Sequence, residues 1–148
     1  MTEHYSHKEY VRLLAGHAPP NTIRGVSSPR RDMRWHNELH SQLAMHPALK
    51  QFQLETEFLF HPTRKYRADF AFPFVEHPLL IEVEGLVNEW DRDKGEKSAH
   101  QTWSGVQRDC EKHSNAAVCG YRVIRVTKQH IESGQAIGWI LDALGVEK

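Results

Sequence analysis

Leu79-Leu80-Ile81-Glu82-Val83-Glu84-Gly85 sets the apolar pattern of a short buried strand against two carboxylates, and stops at a glycine. Successive strand side chains point to opposite faces, so Ile81 and Val83 share one side, and Leu80, Glu82 and Glu84 the other. Two strand steps set the two acids about 6.5–7 Å apart at the backbone. Two anions at the end of an apolar strand are costly unless something positive neutralises them. The rest of the chain has to supply that charge.

The preceding strand repeats the oddity. Tyr66-Arg67-Ala68-Asp69-Phe70-Ala71-Phe72 alternates, with Tyr66, Ala68, Phe70 and Phe72 expected on one face and Arg67, Asp69 and Ala71 on the other. Aspartate is depleted from strands, yet Asp69 sits inside an aromatic one. Pro73 and Pro78 bracket the turn that follows, so two neighbouring strands bring acids to one point. A salt bridge from Asp69 to Arg64 or Lys65 is the plainer alternative. Further upstream, Phe52 to Phe60 predicts another strand, stopped by Pro62.

Before these strands a helix spans about Asp32 to His46, closed by Pro47. Trp35, Leu39 and Leu43 recur in it at i, i+4 and i+8 as one narrow apolar stripe. Glu38 lies beside that stripe, on a line with Arg31, Gln42 and Met45. It is either an i, i+4 partner of Arg34 or Gln42, or a carboxylate that faces a site. His36 and His40 are one turn apart, but Glu38 does not directly follow His36 as the acid of a zinc-peptidase helix does.

Downstream, Gly85 to Gln101 is a long charged connection, expected to be mobile without a ligand. A helix from Thr102 or Ser104 to Cys119 follows, ended by Gly120 as its C-cap. Val106, Cys110, His113 and Ala117 are expected on its inner face, with Arg108, Lys112 and Asn115 grouped on another side. Tyr121 to Thr127 is a fourth strand, rich in β-branched residues. A last helix carries Ile137, Ile140, Leu141 and Leu144 at core spacing, with Gly145 after it. The order helix, three strands, helix, strand, helix predicts an α/β fold. An antiparallel meander and a strand–helix–strand crossover give it a mixed central sheet with flanking helices.

The chain has 148 residues and a formal net charge of zero. Its length suits one domain, expected over 31–148, preceded by an arm or linker over 1–30 in which Tyr5 to Leu14 suit a short helix. No apolar run reaches the ~20 residues of a membrane helix, and residues 1–7 lack the features of a signal peptide. A soluble, cytoplasmic protein with no membrane partner is the expectation. Zero net charge argues against general coating of polyanions, whereas clusters such as Arg64, Lys65 and Arg67 leave a local basic groove open. Cys110 and Cys119, nine positions apart on one helix, would be about 13.5 Å distant and too far to bridge.

The pattern Tyr66-Arg67-Ala68-Asp69-Phe70 followed by Ile81-Glu82-Val83-Glu84-Gly85, in this element order, resembles the PD-(D/E)XK nuclease superfamily. His100, Gly105, Asp109 and Lys112, then Gly120-Tyr121-Arg122-Val123-Ile124-Arg125, are similar to small very-short-patch-repair-like and phage-type endonucleases. The resemblance runs roughly from Asp32 to Leu144. It implies a restriction-endonuclease-like αβββαβ core and hydrolysis of phosphodiester bonds in DNA with Mg²⁺, or Mn²⁺ in its place. By resemblance Asp69 and Glu82 hold the metal, with the Val83 carbonyl as a third ligand and Glu38 as an extra acid, direct or through water. Mg²⁺ takes hard oxygen ligands, usually one or two carboxylates plus waters and substrate phosphate, which suits paired acids. His100 is a candidate for phosphate contact or proton donation. Arg108 and Arg125 are candidates for substrate contact, and Arg125, in a buried strand, is also a candidate partner for one of the acids. Nucleases of this kind often pair to cut both strands, so the resemblance leaves a homodimer open. An RNA substrate would share the active site and differ in the groove.

Glu84 breaks the pattern, which has lysine at that position. Glutamate cannot donate a hydrogen bond when ionised. Three readings stand. The lysine's role has moved to the long helix, with Lys112 as the candidate and Arg108 second. Alternatively, Glu84 ligates a second metal or acts as a base. In the third, the site is inactive and the module only binds nucleic acid or a protein partner.

Overall fold

The computed structural model describes residues 33–85 and 103–146. The acidic strand, β3 (Leu79–Val83), is buried along its whole length, because it has a strand on each side. The sheet order is β1 (Glu55–Leu59), β2 (Arg67–Phe72), β3, β4 (Arg122–Val126). β1, β2 and β3 pair antiparallel, and β3 pairs parallel with β4. The expected α/β class, with its mixed sheet and flanking helices, is present.

Four α-helices, α1 (Arg34–Met45), α2 (Trp103–Val118), α3 (Lys128–Glu132) and α4 (Gln135–Ala143), and a short 3-10 helix over Pro47–Leu49 complete the described chain. The larger core joins Leu39 and Leu43 of α1, Phe70, Phe72, Leu79, Ile81 and Val83 of the sheet, Ile131 of α3 and Ile140 of α4. A smaller core on the α2 side joins Ala71, Leu80, Phe60, Ala116 and Tyr121. Leu80 and Ala71 face one another in the register, so the alternation read from the acidic strand holds. It fails in β2, where Tyr66 and Ala68 pack with the smaller core while Phe70 and Phe72 pack with the larger.

Several boundaries differ from expectation. β1 is shorter than Phe52 to Phe60, since Phe52 and Leu54 pack on the core from the lead-in and Phe60 lies past its end, its N–H donating to the Tyr66 carbonyl at 3.3 Å. The single C-terminal helix is two. Thr127 starts α3, its N–H donating to His130 Nδ1 at 3.1 Å, and Gly134, at φ 78°, turns the chain into α4. A left-handed residue is cheap only for glycine.

The phase of α2 is corrected. Val106, Cys110 and Ala117 are exposed, while Gly105 and Ala116 are buried. The inner face therefore runs Gly105, Asp109, Lys112, Ala116, at i, i+4, i+7 and i+11, small at its ends and charged in the middle. Both cysteines are free. No helix among the described residues is long and apolar enough to cross a membrane. The expected arm over 1–30, the connection beyond Gly85 that was expected to be mobile, and His100 lie outside the described residues.

Candidate functional site

β2 and β3 set the acids face to face. Their register pairs Phe70 with Ile81 and Ala71 with Leu80; one step further, Asp69 stands opposite Glu82. There a side chain replaces the backbone ladder, the Val83 N–H donating to Asp69 Oδ2 at 2.7 Å. Asp69 is 7% and Glu82 8% exposed. Two carboxylates this deep need partners, and each has one from a different helix.

Asp69 meets α1. His36 Nε2 lies 3.3 Å from Asp69 Oδ1, with both side chains buried. The two are close enough to attract but not aligned as a hydrogen bond, and neither ring nitrogen of His36 has a hydrogen-bond partner among the described residues. His36 occupies the helix face of Leu39 and Leu43, which drives it inward. The histidine pair considered as a zinc site is split, since His40 stacks on Phe70.

Glu82 meets α2. Lys112 Nζ is 2.6 Å from Glu82 Oε1, with the lysine side chain only 23% exposed. Burial nevertheless outweighs the ammonium: the Glu82 carboxyl is pushed up to about 7, with the Asp69 and Glu84 charges adding to the rise. The helix phase explains the contact, because Lys112 lies one turn before buried Ala116 and its long stem spans the remaining distance.

Glu84 is held from β4. Arg125 Nε donates to Glu84 Oε1 at 2.6 Å, and this bond raises the Arg125 pKa. The fourth strand's arginine thus does pair with one of the acids. Asp69, Glu82, Val83, Glu84, Asp109, Lys112 and His113 together line a cleft of about 450 Å³, with half-exposed Glu57 and Arg67. The register sets Glu57 opposite Asp69, and at φ 49° it is the one described non-glycine residue in the left-handed region. That conformation costs a non-glycine residue about 1–2 kcal/mol.

Of the expected site residues, Asp69, Glu82, Val83, Glu84 and Lys112 come together, with Arg125 joined through Glu84. Glu38 does not join them. Its exposed carboxylate accepts from Gln42 Nε2 at 3.0 Å, the plain i, i+4 pair, and it is absent from the cleft lining. Arg108 also turns away, its Nε–H donating to the Ser104 carbonyl at 3.3 Å. Three residues of the site were not assigned to it from sequence. His36 follows the α1 stripe at i, i+3 and i+7. Asp109 and His113 share the charged middle of α2, and the spacing of Gly105 and Ala116 would have revealed that face.

Among the described residues no three His, Cys, Asp or Glu side chains form a ready-made metal cage. Mg²⁺ does not require one, since it keeps several waters and binds through one or two carboxylates plus substrate phosphate. The donor set of Asp69 and Glu82 fits that chemistry, and each carboxylate has lone pairs beyond those already used. Comparison with family models, with curated proteins and with solved structures finds no match.

Proposed function

We propose that this chain is a divalent-metal-dependent endonuclease that hydrolyses phosphodiester bonds in DNA, on a restriction-endonuclease-like core. The observation that carries the reading is the meeting of Asp69, Glu82 and Lys112 in one cleft, with Lys112 Nζ 2.6 Å from Glu82. Two buried acids and one ammonium at a strand end are what phosphoryl transfer calls for: anionic ligands for a cation, and a donor that steadies developing negative charge.

In this mechanism Asp69 and Glu82 would hold Mg²⁺ or Mn²⁺, with the Val83 carbonyl as a third donor. Bound there, the ion would neutralise phosphoryl oxygens and acidify a water. Lys112 does from α2 what a strand lysine does in the family this sequence resembles. It offers hydrogen bonds to the reacting phosphate, and its charge tempers the repulsion between Glu82 and the substrate. Arg125 fixes Glu84, which keeps that carboxylate from competing for Lys112. His36, packed 3.3 Å behind Asp69, limits where that carboxylate can turn and so supports it from outside the cleft.

A second reading has its own observation. Glu84 stands where the family pattern has lysine and is locked by Arg125, which suits a module that binds nucleic acid or a protein without cutting. Supercoiled plasmid, branched DNA and single-stranded RNA, each incubated with Mg²⁺, Mn²⁺ or EDTA, separate the readings. The nuclease reading expects nicked or cut DNA with metal and intact DNA with EDTA. Binding of DNA with no cleavage in either metal selects the binding module, and cleavage of RNA alone moves the substrate class.

A further inference from the structure

We infer that His113 is the proton acceptor for the attacking water in this cleft, taking a role that Glu84 and Lys112 are not free to take. The inference rests on the nuclease reading and deepens it. Glu84 is held by Arg125 and Lys112 by Glu82, each at 2.6 Å. His113 lines the same cleft beside both acids, one position after Lys112 and one helical turn after Asp109. It is partly buried while still forming part of the cleft wall.

An imidazole is a stronger base than a carboxylate and is uncharged near neutral pH. The surroundings of His113 favour that uncharged form. Burial lowers its pKa first, then the charges of Arg125 from β4 and Lys112 from α2, against the weaker opposing pull of Asp109 and Glu84. A base that stays neutral can accept a proton at pH 7 without first losing one.

The step balances simply. As the water oxygen bonds to phosphorus, one water proton passes to the unprotonated ring nitrogen of His113. The bond from phosphorus to the leaving oxygen breaks with its electron pair on that oxygen, which takes a proton from solvent. The imidazolium then returns its proton to solvent, leaving a phosphomonoester and an alcohol.

The test is a pH–rate profile of plasmid nicking with Mg²⁺ for wild type, His113→Gln and His113→Ala, the alanine variant with and without added imidazole. Asp69→Ala runs beside them. Wild type is expected to lose rate tenfold per pH unit on the acid side. At Mg²⁺ concentrations high enough to keep Glu82 ionised, His113→Gln should be slowed by about 10²–10⁴-fold and lack that acid limb, with unchanged thermal melting. Imidazole should recover at least tenfold in His113→Ala and nothing in His113→Gln. A His113→Gln enzyme with the wild-type rate and profile overturns the inference while Asp69→Ala, still inactive, leaves the nuclease reading standing. A slowed His113→Ala that imidazole does not rescue overturns it too. A wild type inert in every metal removes both. Independently of activity, the His113 ring protons followed by NMR in metal-free protein should titrate below pH 6.5; a midpoint above 7 contradicts the inference.

Discussion

Burying Glu82 beside Asp69 leaves a carboxyl that keeps its proton up to about pH 7 in the folded protein, against 4.5 ordinarily. Between those values the folded state binds more protons than the unfolded one, so stability falls as pH rises. The shift corresponds to a loss on the order of 3 kcal/mol across that window. His61 and His113 act in the opposite sense. Their folded pKa values are lowered by burial, so they cost stability as pH falls below 6.5. The difference between wild type and Glu82→Gln isolates the glutamate. In urea titrations with EDTA, Glu82→Gln should match wild type near pH 4.5 and exceed it by a few kcal/mol at pH 8. Divalent metal should reverse the order at pH 8 by stabilising only wild type. Lys112→Ala should slow cleavage at least about a hundredfold, and an unaffected Lys112→Ala would rule out migration of the lysine role to that residue. His36→Gln should weaken Mn²⁺ binding by about 10–100-fold by calorimetry, since His36 backs the Asp69 carboxylate without touching the cleft.

At the scale of elements, α2 decides whether the acids have a partner. Gly105 and Ala116 let the helix lie against the sheet, and Lys112 reaches Glu82 because of that closeness. Ala116→Leu should overpack this contact, costing about 1–3 kcal/mol by chemical denaturation. It should also reduce cleavage by lifting Lys112 away from Glu82. Gly120, at φ 84°, ends the helix, and Gly120→Ala should cost about 1–2 kcal/mol for its left-handed backbone alone. The strands were the legible elements. Apolar runs and bracketing prolines marked β2 and β3, although the alternation expected of β2 fails, and an aspartate in one and a glutamate in the other marked the candidate site. α2 was legible as a helix but not in its phase, because its inward middle is charged and its exposed side carries Val106, Cys110 and Ala117. Periodicity follows apolar residues, and here they point to water. The departure of Glu38 has the same root, since the α1 stripe and the line of Glu38 and Gln42 differ by a small rotation. Only packing showed that His36 takes the inward place. The left-handed Glu57 and the break at Gly134 leave no local pattern to read.

For the molecule as a whole, the central β3 takes Asp69 from β2 on one side and Arg125 from β4 on the other, while α2 caps the open end with Lys112 and His113. One crossover thus gathers acids, cations and an imidazole from four elements into a cleft in a chain with zero net charge. Charge is local here, which on the proposed reading suits a short contact on a polyanion and not broad coating. On the proposed reading, Asp69 and Glu82 make this cleft a metal-dependent phosphodiesterase site. The most direct test is nicking of supercoiled plasmid with Mg²⁺ or Mn²⁺ by wild type, Asp69→Ala and Glu82→Ala, each first shown to melt cooperatively. Wild type should nick the plasmid, and both variants should lose at least about a thousandfold in rate. Equal nicking by all three proteins, or none by wild type in either metal, would contradict that reading.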